Sequence, residues 1–201
     1  MWQYGIYAVW LGALIQLLGS AAYIRDTLRS KTKPNRVTWL MWSVAPLIGA
    51  SIAIADGVKW AVIPVLIAGV IPLLVLTASF VNKNAYWKLG IFDYACGLCS
   101  ALALTLWLVT SQPAMAILFA IVADTLAALP TLKKAWTNPE TETAAEYLAS
   151  VIATIFGLLA VQSWRFSETA FLSYLFFLNG LVVLIIYRQR LTSRVLQVPG
   201  G

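Results

Sequence analysis

Seven apolar blocks of about twenty residues, the length of helix that crosses ~30 Å of hydrocarbon, fill most of the chain. They lack the alternation of barrel strands, and an open sheet would leave backbone groups unpaired in lipid. Charged residues make up only 11% of the chain, whereas soluble domains carry about a quarter. The sequence therefore predicts an all-α membrane protein with seven transmembrane helices. The blocks cover residues 4–24, 37–55, 60–80, 89–109, 113–132, 144–162 and 170–187.

Lysine and arginine are divided unequally between the two sides of this map. Only Lys59 and Arg165 lie on one side, and twelve lie on the other. Because cytoplasmic loops carry the excess of positive charge, we expect the amino terminus outside and the carboxyl terminus in the cytoplasm, as in a bacterial inner (plasma) membrane. On this map every lysine and arginine lies in a loop or in the tail. The same bias accounts for the net charge of +6, so the expected partner is the lipid bilayer and not nucleic acid. The twelve are Arg25, Arg29, Lys31, Lys33, Arg36, Lys83, Lys88, Lys133, Lys134, Arg188, Arg190 and Arg194.

An internal repeat organises the seven blocks. After the first block comes "YIRDTLRSKTKPNRVTW" and after the fifth comes "ALPTLKKAWTNPETETA"; both carry a basic cluster followed by Thr-x-Pro, and Pro34 and Pro139 lie 105 residues apart. Three crossings end on the side opposite their start, so a fourth helix must return the chain before the unit repeats. We therefore expect a first three-helix repeat over 1–80, a linker helix within 81–112 and a second repeat, with the tail, over 113–201. In transporters with such repeats the binding site lies at the repeat interface.

These features resemble the SWEET and PQ-loop (MtN3-like) transporter superfamily. "LPTLKKAWTNPETE" is similar to the family segment at the cytoplasmic end of the fifth helix, and "FLNGLVVLIIY" is similar to its Asn-containing segment in the seventh. The resemblance implies a three-plus-one-plus-three arrangement and transport of a small solute by rocking of the two units. It also matches Asn179 with an asparagine of the binding pocket and places Phe156 near a pocket aromatic. The first repeat departs from the pattern, with Ile24 and Arg25 where the family has proline.

Polar residues inside the blocks are the candidate binding residues. Asp124 lies near the middle of the fifth block, and Gln16 and Asn179 lie at similar depths in the first and seventh. An intramembrane acid costs ~2.5–3.5 kcal/mol even on the lenient insertion scale. Asp124 either stays protonated and bonds to Gln16 or Asn179, or faces a water-filled cavity where it binds a cation, a basic solute or a coupling proton. For Gln16 and Asn179, interhelical bonding and ligand contact both stay open.

Aromatic and proline residues give a second set of candidates. Trp42 and Tyr147 are also 105 residues apart, so a pair of them could stack on a solute or close the cytoplasmic mouth; the alternative is interfacial anchoring and packing. Pro46 and Pro130 interrupt the second and fifth blocks. They are candidate gating hinges, since proline frees a backbone carbonyl and permits bending, although proline is also common in membrane helices that do not bend.

Three classes of function are open to a chain of this kind. The chain has no histidine, and its two cysteines, Cys96 and Cys99, are too few for a metal site. No nucleophile with its base is apparent either, so we expect no enzyme, no metal and no cofactor. A small-solute transporter using alternating access, with proton coupling through Asp124, is the favoured class. The alternative is a non-transporting membrane receptor or sorting protein of the same architecture, and a homo-oligomer is compatible with both.

Overall fold

The computed structural model describes residues 2–55, 57, 63–161 and 163–196, and within these it contains seven α-helices and no strand. The predicted all-α class is therefore confirmed. Lys59, Trp60 and Gln162, which the sequence map uses, lie outside the described residues. The helices are α1 (Trp2–Leu28), α2 (Arg36–Ala55), α3 (Ile63–Val81), α4 (Ile91–Val109), α5 (Pro113–Thr137), α6 (Ala144–Ala160) and α7 (Phe166–Leu196).

Five of these helices are long and apolar enough to cross a membrane. Such lengths and compositions are those of an integral membrane protein. The apolar parts of α3 and α6 are shorter, over Val65–Val81 and Ala144–Ala160, and seventeen residues lie at the lower limit of about 17–25 for a crossing. Seven full crossings therefore stay a prediction. The five long spans are Tyr7–Leu28, Arg36–Ala55, Ile91–Val109, Ala114–Thr137 and Glu168–Arg188.

Several helices continue beyond the apolar blocks that predicted them. Helix α5 runs to Thr137 and so contains both Lys133 and Lys134, and α1 contains Arg25. The expectation that every lysine and arginine lies in a loop or in the tail was therefore wrong. A helix does not stop where its apolar residues stop, because the next turns still form backbone hydrogen bonds and long basic side chains reach past the apolar surface.

The three basic connections meet at one end of the helix bundle, which we call the basic end. The Lys33 backbone N–H donates to the Thr141 carbonyl at 3.0 Å, which joins the first and third of these connections. Asn82 Nδ2 donates to the Thr27 carbonyl at 2.9 Å, which brings in the second. Helices α1, α3, α5 and α7 therefore run toward the basic end, and α2, α4 and α6 run away from it. The connections cover 29–35, 82–90 and 138–143.

Helix packing follows a repeated scheme. Helix α3 packs against α1 and α2, and α7 packs against α5 and α6. Between these groups, α1 packs along α6 and α2 contacts α5, while α4 lies against α5 and α2. The α1–α6 contact is the more extensive of the two, because small residues let the backbones approach. A Cβ added to Gly19 would lie only 2.3 Å from the Cβ of Ala149.

The starts of α2 and α6 show how the two halves differ. Helices α2 and α6 begin at Arg36 and Ala144, 108 residues apart, whereas the two loop prolines are 105 apart. The distance from the loop proline to the start of the next helix is three residues greater before α6, because a 3-10 turn at Pro139–Thr141 precedes that helix. Counted from the helix starts, the residue of α2 that matches Tyr147 is therefore Trp39, one turn before Trp42.

Candidate functional site

A central cavity of about 590 Å³ lies among α2, α3, α4, α5, α6 and α7. Its lining begins within two turns of the ends of α3, α5 and α7 that lie away from the basic end, at Val65, Ile117 and Phe171. This volume is within the ~300–1,000 Å³ range of small-molecule sites. Most of the wall is apolar. The polar or aromatic lining residues are Trp39, Trp42, Ser100, Trp107, Asp124, Glu146, Tyr147, Ser150, Phe171 and Asn179.

Asp124 lines this cavity from α5 and is half-buried. The hydroxyl of Tyr174 on α7 donates to its Oδ2 at 2.8 Å, and Thr125 Oγ1 in turn donates to the Tyr174 hydroxyl at 3.1 Å. The predicted partners Gln16 and Asn179 do not bond to it, because both amides are engaged elsewhere. Asp124 therefore has only neutral neighbours, the Tyr174 hydroxyl and the Trp42 indole, and no cation pairs with it in the described residues.

Glu146 is a second acid in the cavity wall, which sequence reasoning missed. It lies in the first turn of α6 and is 7% exposed. Gln16 Nε2 donates to its Oε1 at 2.6 Å, and its buried Oε2 has no hydrogen-bond partner. Gln16 therefore belongs to the α1–α6 contact, behind the acid, and does not line the cavity. An acid in the first turn of a helix is usually explained by its favourable interaction with the helix dipole. For this reason sequence reasoning did not select Glu146 as a second acid of the site.

Asn179 lines the cavity from α7 and is buried. Its Nδ2 donates to the Leu175 carbonyl at 2.8 Å within the same helix. This local bond fixes the amide, and the Oδ1 atom is left to accept a hydrogen bond from a ligand. The amide therefore supplies one acceptor in an otherwise apolar part of the wall.

The predicted aromatic and proline residues divide between the cavity and the surrounding core. Trp42, Tyr147 and Pro46 line the cavity. Phe156 is not among the lining residues and lies against Gly12 in the α1–α6 contact, and Pro130 is buried inside α5 outside the lining. The pocket role of Phe156 thus has no geometric support, because it faces α1 and the last lining residue of α6, Ser150, lies six residues before it.

An aromatic row separates the cavity from the basic end. The ring of Tyr23 lies 4.8 Å from that of Trp39 and 6.1 Å from that of Tyr147, between centroids, so it stands between these two matched positions. The Trp42 ring follows at 5.2 Å from Trp39. The indole Nε1 atoms of Trp39 and Trp42 are buried without a hydrogen-bond partner. The Trp42 indole lies close enough to Asp124 to interact with its carboxyl, although not at hydrogen-bond geometry.

Beyond this row lies the Glu142 cluster, formed by Glu142, Lys134, Tyr23 and Tyr147. Lys134 Nζ lies 2.5 Å from Glu142 Oε1 with both side chains almost fully buried. The hydroxyls of Tyr23 and Tyr147 donate to Glu142 Oε2 at 2.8 and 3.0 Å, and Lys134 also donates to the Lys33 carbonyl. The cluster joins α1, α5, α6 and the first basic connection. It closes the cavity at the basic end.

A second layer of hydrogen bonds surrounds the cluster. Thr143 Oγ1 contacts the Thr32 hydroxyl and donates to Asp26 Oδ2 at 3.1 Å. Asn35 Nδ2 donates to Asp93 Oδ1 at 2.8 Å, which ties the start of α2 to the start of α4. The bonds of Thr143 cross between the two repeated groups of helices. The closure therefore combines these polar contacts with the buried apolar cluster to which Tyr23, Trp39 and Tyr147 belong.

In the described part of the chain, no group of three or more His, Cys, Asp or Glu side chains is placed to hold a metal ion. Cys96 is buried, Cys99 is exposed, and both are free thiols. The site's chemistry thus lies in its two acids, one amide and several aromatic rings. Comparison with protein-family models, with curated proteins and with solved structures found no match.

Proposed function

We propose that this protein carries a small solute across a membrane by alternating access, as a SWEET-like or PQ-loop-like transporter of the bacterial inner membrane. The observation that carries the proposal is the central cavity, which holds Asp124 and Glu146 in its wall and is closed at one end by the Glu142 cluster. A stable cavity with ionisable groups at membrane depth is typical of solute and ion pathways. Transport, and not catalysis, is the use that this chemistry favours.

The packing scheme supports two three-helix units as the moving parts. Exchanging α1, α2 and α3 with α5, α6 and α7 leaves the set of packed pairs among these six helices unchanged. In this proposal the first unit covers 1–80, the linker helix lies within 81–112 and the second unit covers 113–201, with the amino terminus outside. Parallel repeats of this kind place the solute at their interface, where the cavity lies.

A rocking motion accounts for the different character of the two contacts between units. The α1–α6 contact is tight and small-residue-rich at Gly12 and Gly19, so it suits a fixed pivot. The basic end combines buried apolar side chains with hydrogen bonds and a buried ion pair, and these polar contacts can be replaced by water when the end opens. Pro46 lies inside α2 in the cavity wall, and Pro130 lies inside α5 about one turn before Lys134. A bend at either proline would move the closed end and widen the mouth.

Proton coupling through Asp124 completes the proposal. Its partner Tyr174 is neutral, so gain or loss of one proton changes the net charge of the wall. A carboxyl that alternates between water on one side and water on the other can load a proton in one state and release it in the next. Tyr174 would hold the carboxyl toward the cavity in both forms.

Uptake of labelled solutes into proteoliposomes under an imposed pH gradient tests the proposal. The blocking variant is Gly49→Phe, because a Cβ at Gly49 meets only Trp107, at 3.9 Å, and a larger side chain extends into the cavity. The matched control is Leu106→Phe on an exposed face of α4. Flux that Gly49→Phe abolishes and Leu106→Phe preserves supports transport. A solute that binds but never crosses would favour the receptor or sorting alternative.

A further inference from the structure

The charge content of the cavity indicates which solutes it accepts. Asp124 and Glu146 are its ionisable carboxylic acids, and no lysine or arginine belongs to the described lining. Lys134, a buried cation near the closed end, is already engaged by Glu142 and the Lys33 carbonyl. In a wall of low polarity two uncompensated acids attract positive charge and repel negative charge strongly.

The two acids share one feature: neither is paired with a cation of the described lining. The donors that face the two acids are all neutral. The Tyr174 phenol donates to Asp124, which the Trp42 indole also faces, and the Gln16 amide donates to Glu146, which the Ser20 hydroxyl also faces. Glu146 Oε2 is buried in the wall with no partner at all. A buried carboxylate is tolerated when it is paired with a cation or protonated. A positively charged ligand would therefore complete what the protein itself leaves unpaired.

The rest of the wall suits the apolar body of such a ligand. Trp42, Trp107 and Phe171 present aromatic surface to the cavity, and aromatic faces attract an organic cation. Few hydroxyl and amide groups of the wall are free to bind a sugar. Ser100 donates its hydroxyl to the Ala123 carbonyl, and one amide N–H of Asn179 is bonded to the Leu175 carbonyl, which leaves the Ser150 hydroxyl and the rest of the Asn179 amide. A polyhydroxylated solute would lose more hydrogen bonds to water than this wall returns.

We propose that the central cavity binds an amphipathic organic amine, with an apolar or aromatic body and a single ammonium group that Asp124 and Glu146 recognise. This inference rests on the proposed function in treating the cavity as a solute site, and it names the chemical class of the solute. A carboxylate on the same molecule would be unfavourable, since the described lining offers no cation to receive it.

Equilibrium binding of tritiated phenethylamine to the purified full-length protein at neutral pH tests the inference. Phenethyl alcohol and phenylacetate are the competitors, because they keep the aromatic body and replace the ammonium by a neutral or an anionic group. The amine should bind at least about tenfold more tightly than the alcohol, and phenylacetate should not compete. Equal binding of the amine and the alcohol, or competition by phenylacetate, would overturn the inference without any variant.

Two variants test whether Asp124 and Glu146 recognise the ammonium group. Asp124→Asn and Glu146→Gln keep the shape and the bonds from Tyr174 and Gln16, so each should lower amine affinity while alcohol binding, which reports an intact cavity, is unchanged. Glu140→Gln is the matched control, since it removes an exposed acid at the basic end.

The outcomes separate this inference from the proposed transport. Persistent preference for the amine over the alcohol in the double variant contradicts the inference. Amine binding without flux contradicts only the proposed transport, and flux of neutral solutes without amine binding contradicts only the amine.

Discussion

Lys134 Nζ and Glu142 Oε1 lie 2.5 Å apart at the basic end, in an ion pair whose two side chains are 1% and 0% exposed. The pair connects the last turns of α5 with the connection that leads into α6. Because the hydroxyls of Tyr23 and Tyr147 also donate to Glu142, one carboxylate holds three helices together. A buried pair of this kind adds little stability compared with an apolar core, but losing one partner is costly. Under the proposed alternating access, such a pair suits a contact that holds firmly when the end is closed and separates when water reaches it.

Removing the cation of this pair should destabilise the protein strongly. Lys134→Met leaves Glu142 buried without its counter-ion, and we expect a loss of about 3–5 kcal/mol in the free energy of unfolding. Lys133→Met is the control, because Lys133 is exposed and its Nζ lies over the Phe92 ring, 4.4 Å from the centroid. Unfolding in detergent measures both. The double variant Lys134→Met with Glu142→Gln should lose less than the sum of the single losses, and strict additivity would contradict a direct pair.

Weakening the Glu142 cluster should open the cavity toward the basic end. In a background with Cys96 and Cys99 replaced by alanine, Ser150→Cys places a thiol in the cavity wall. A water-soluble thiol reagent applied from the basic end should label it faster when Glu142→Gln is added, since Lys134 and two tyrosines then lose their charged acceptor. Lys31→Cys, on the exposed surface, should label equally in both backgrounds. Unchanged labelling of Ser150→Cys would show that the cluster is not the gate.

Helix α1 should not tolerate even one added methyl group at Gly19. The new Cβ would lie 2.3 Å from the Ala149 Cβ and 2.9 Å from the Ala145 carbonyl oxygen, so the two helices must separate. We expect Gly19→Ala to cost about 1–3 kcal/mol of stability, as overpacked cores do. Ala149→Gly in the same chain should restore part of the loss by removing the closer clash. Gly180→Ala is the control, since nothing lies within 4 Å of the position that its added methyl group would take, and wild-type-like stability of Gly19→Ala would contradict the close contact.

Replacing Asp124 by Asn should remove proton coupling and leave the fold intact. The variant keeps an oxygen for the Tyr174 hydroxyl but no longer titrates. Uptake should then lose its dependence on an imposed pH gradient, while Glu140→Gln, at an exposed position outside the cavity, keeps it. Tyr174→Phe should weaken coupling less than Asp124→Asn, because it only frees the carboxyl to move. Full pH-driven uptake in Asp124→Asn would rule out the coupling role.

The orientation of the chain is tested by thiol labelling in whole cells. Single cysteines at Lys31 and Glu140, both exposed at the basic end, should resist an impermeant reagent applied from outside, because the positive-inside rule predicts that this end lies in the cytoplasm. Ser111→Cys, in the exposed connection at the opposite end, should react. Reaction at Lys31 and Glu140 with protection at Ser111 would invert the orientation. Reaction at only one of the two basic positions would contradict their location at one end.

Local sequence patterns were sufficient to predict the helices but not to predict where the helices end. Apolar runs of membrane length predicted every α-helix of the described structure, because in lipid a backbone must satisfy its own hydrogen bonds. The ends were missed where charged residues continue a helix, as at Lys133 and Lys134. The same error hid the buried ion pair, since a lysine assigned to a loop is not considered as a partner for Glu142.

What the sequence by itself determined is that seven apolar helices form, that the basic connections share one face and that Asp124 lies deep in an apolar helix. Only the tertiary structure decided which groups meet: Tyr174 at Asp124, Gln16 at Glu146, and Trp39 in place of Trp42 opposite Tyr147. Hydropathy is a property of each segment alone, so helices can be predicted from it without knowledge of the fold. Side-chain partners depend on how helices cross and on where each helix begins after its loop proline. The 3-10 turn before α6 moves that start by three residues, about one helical turn.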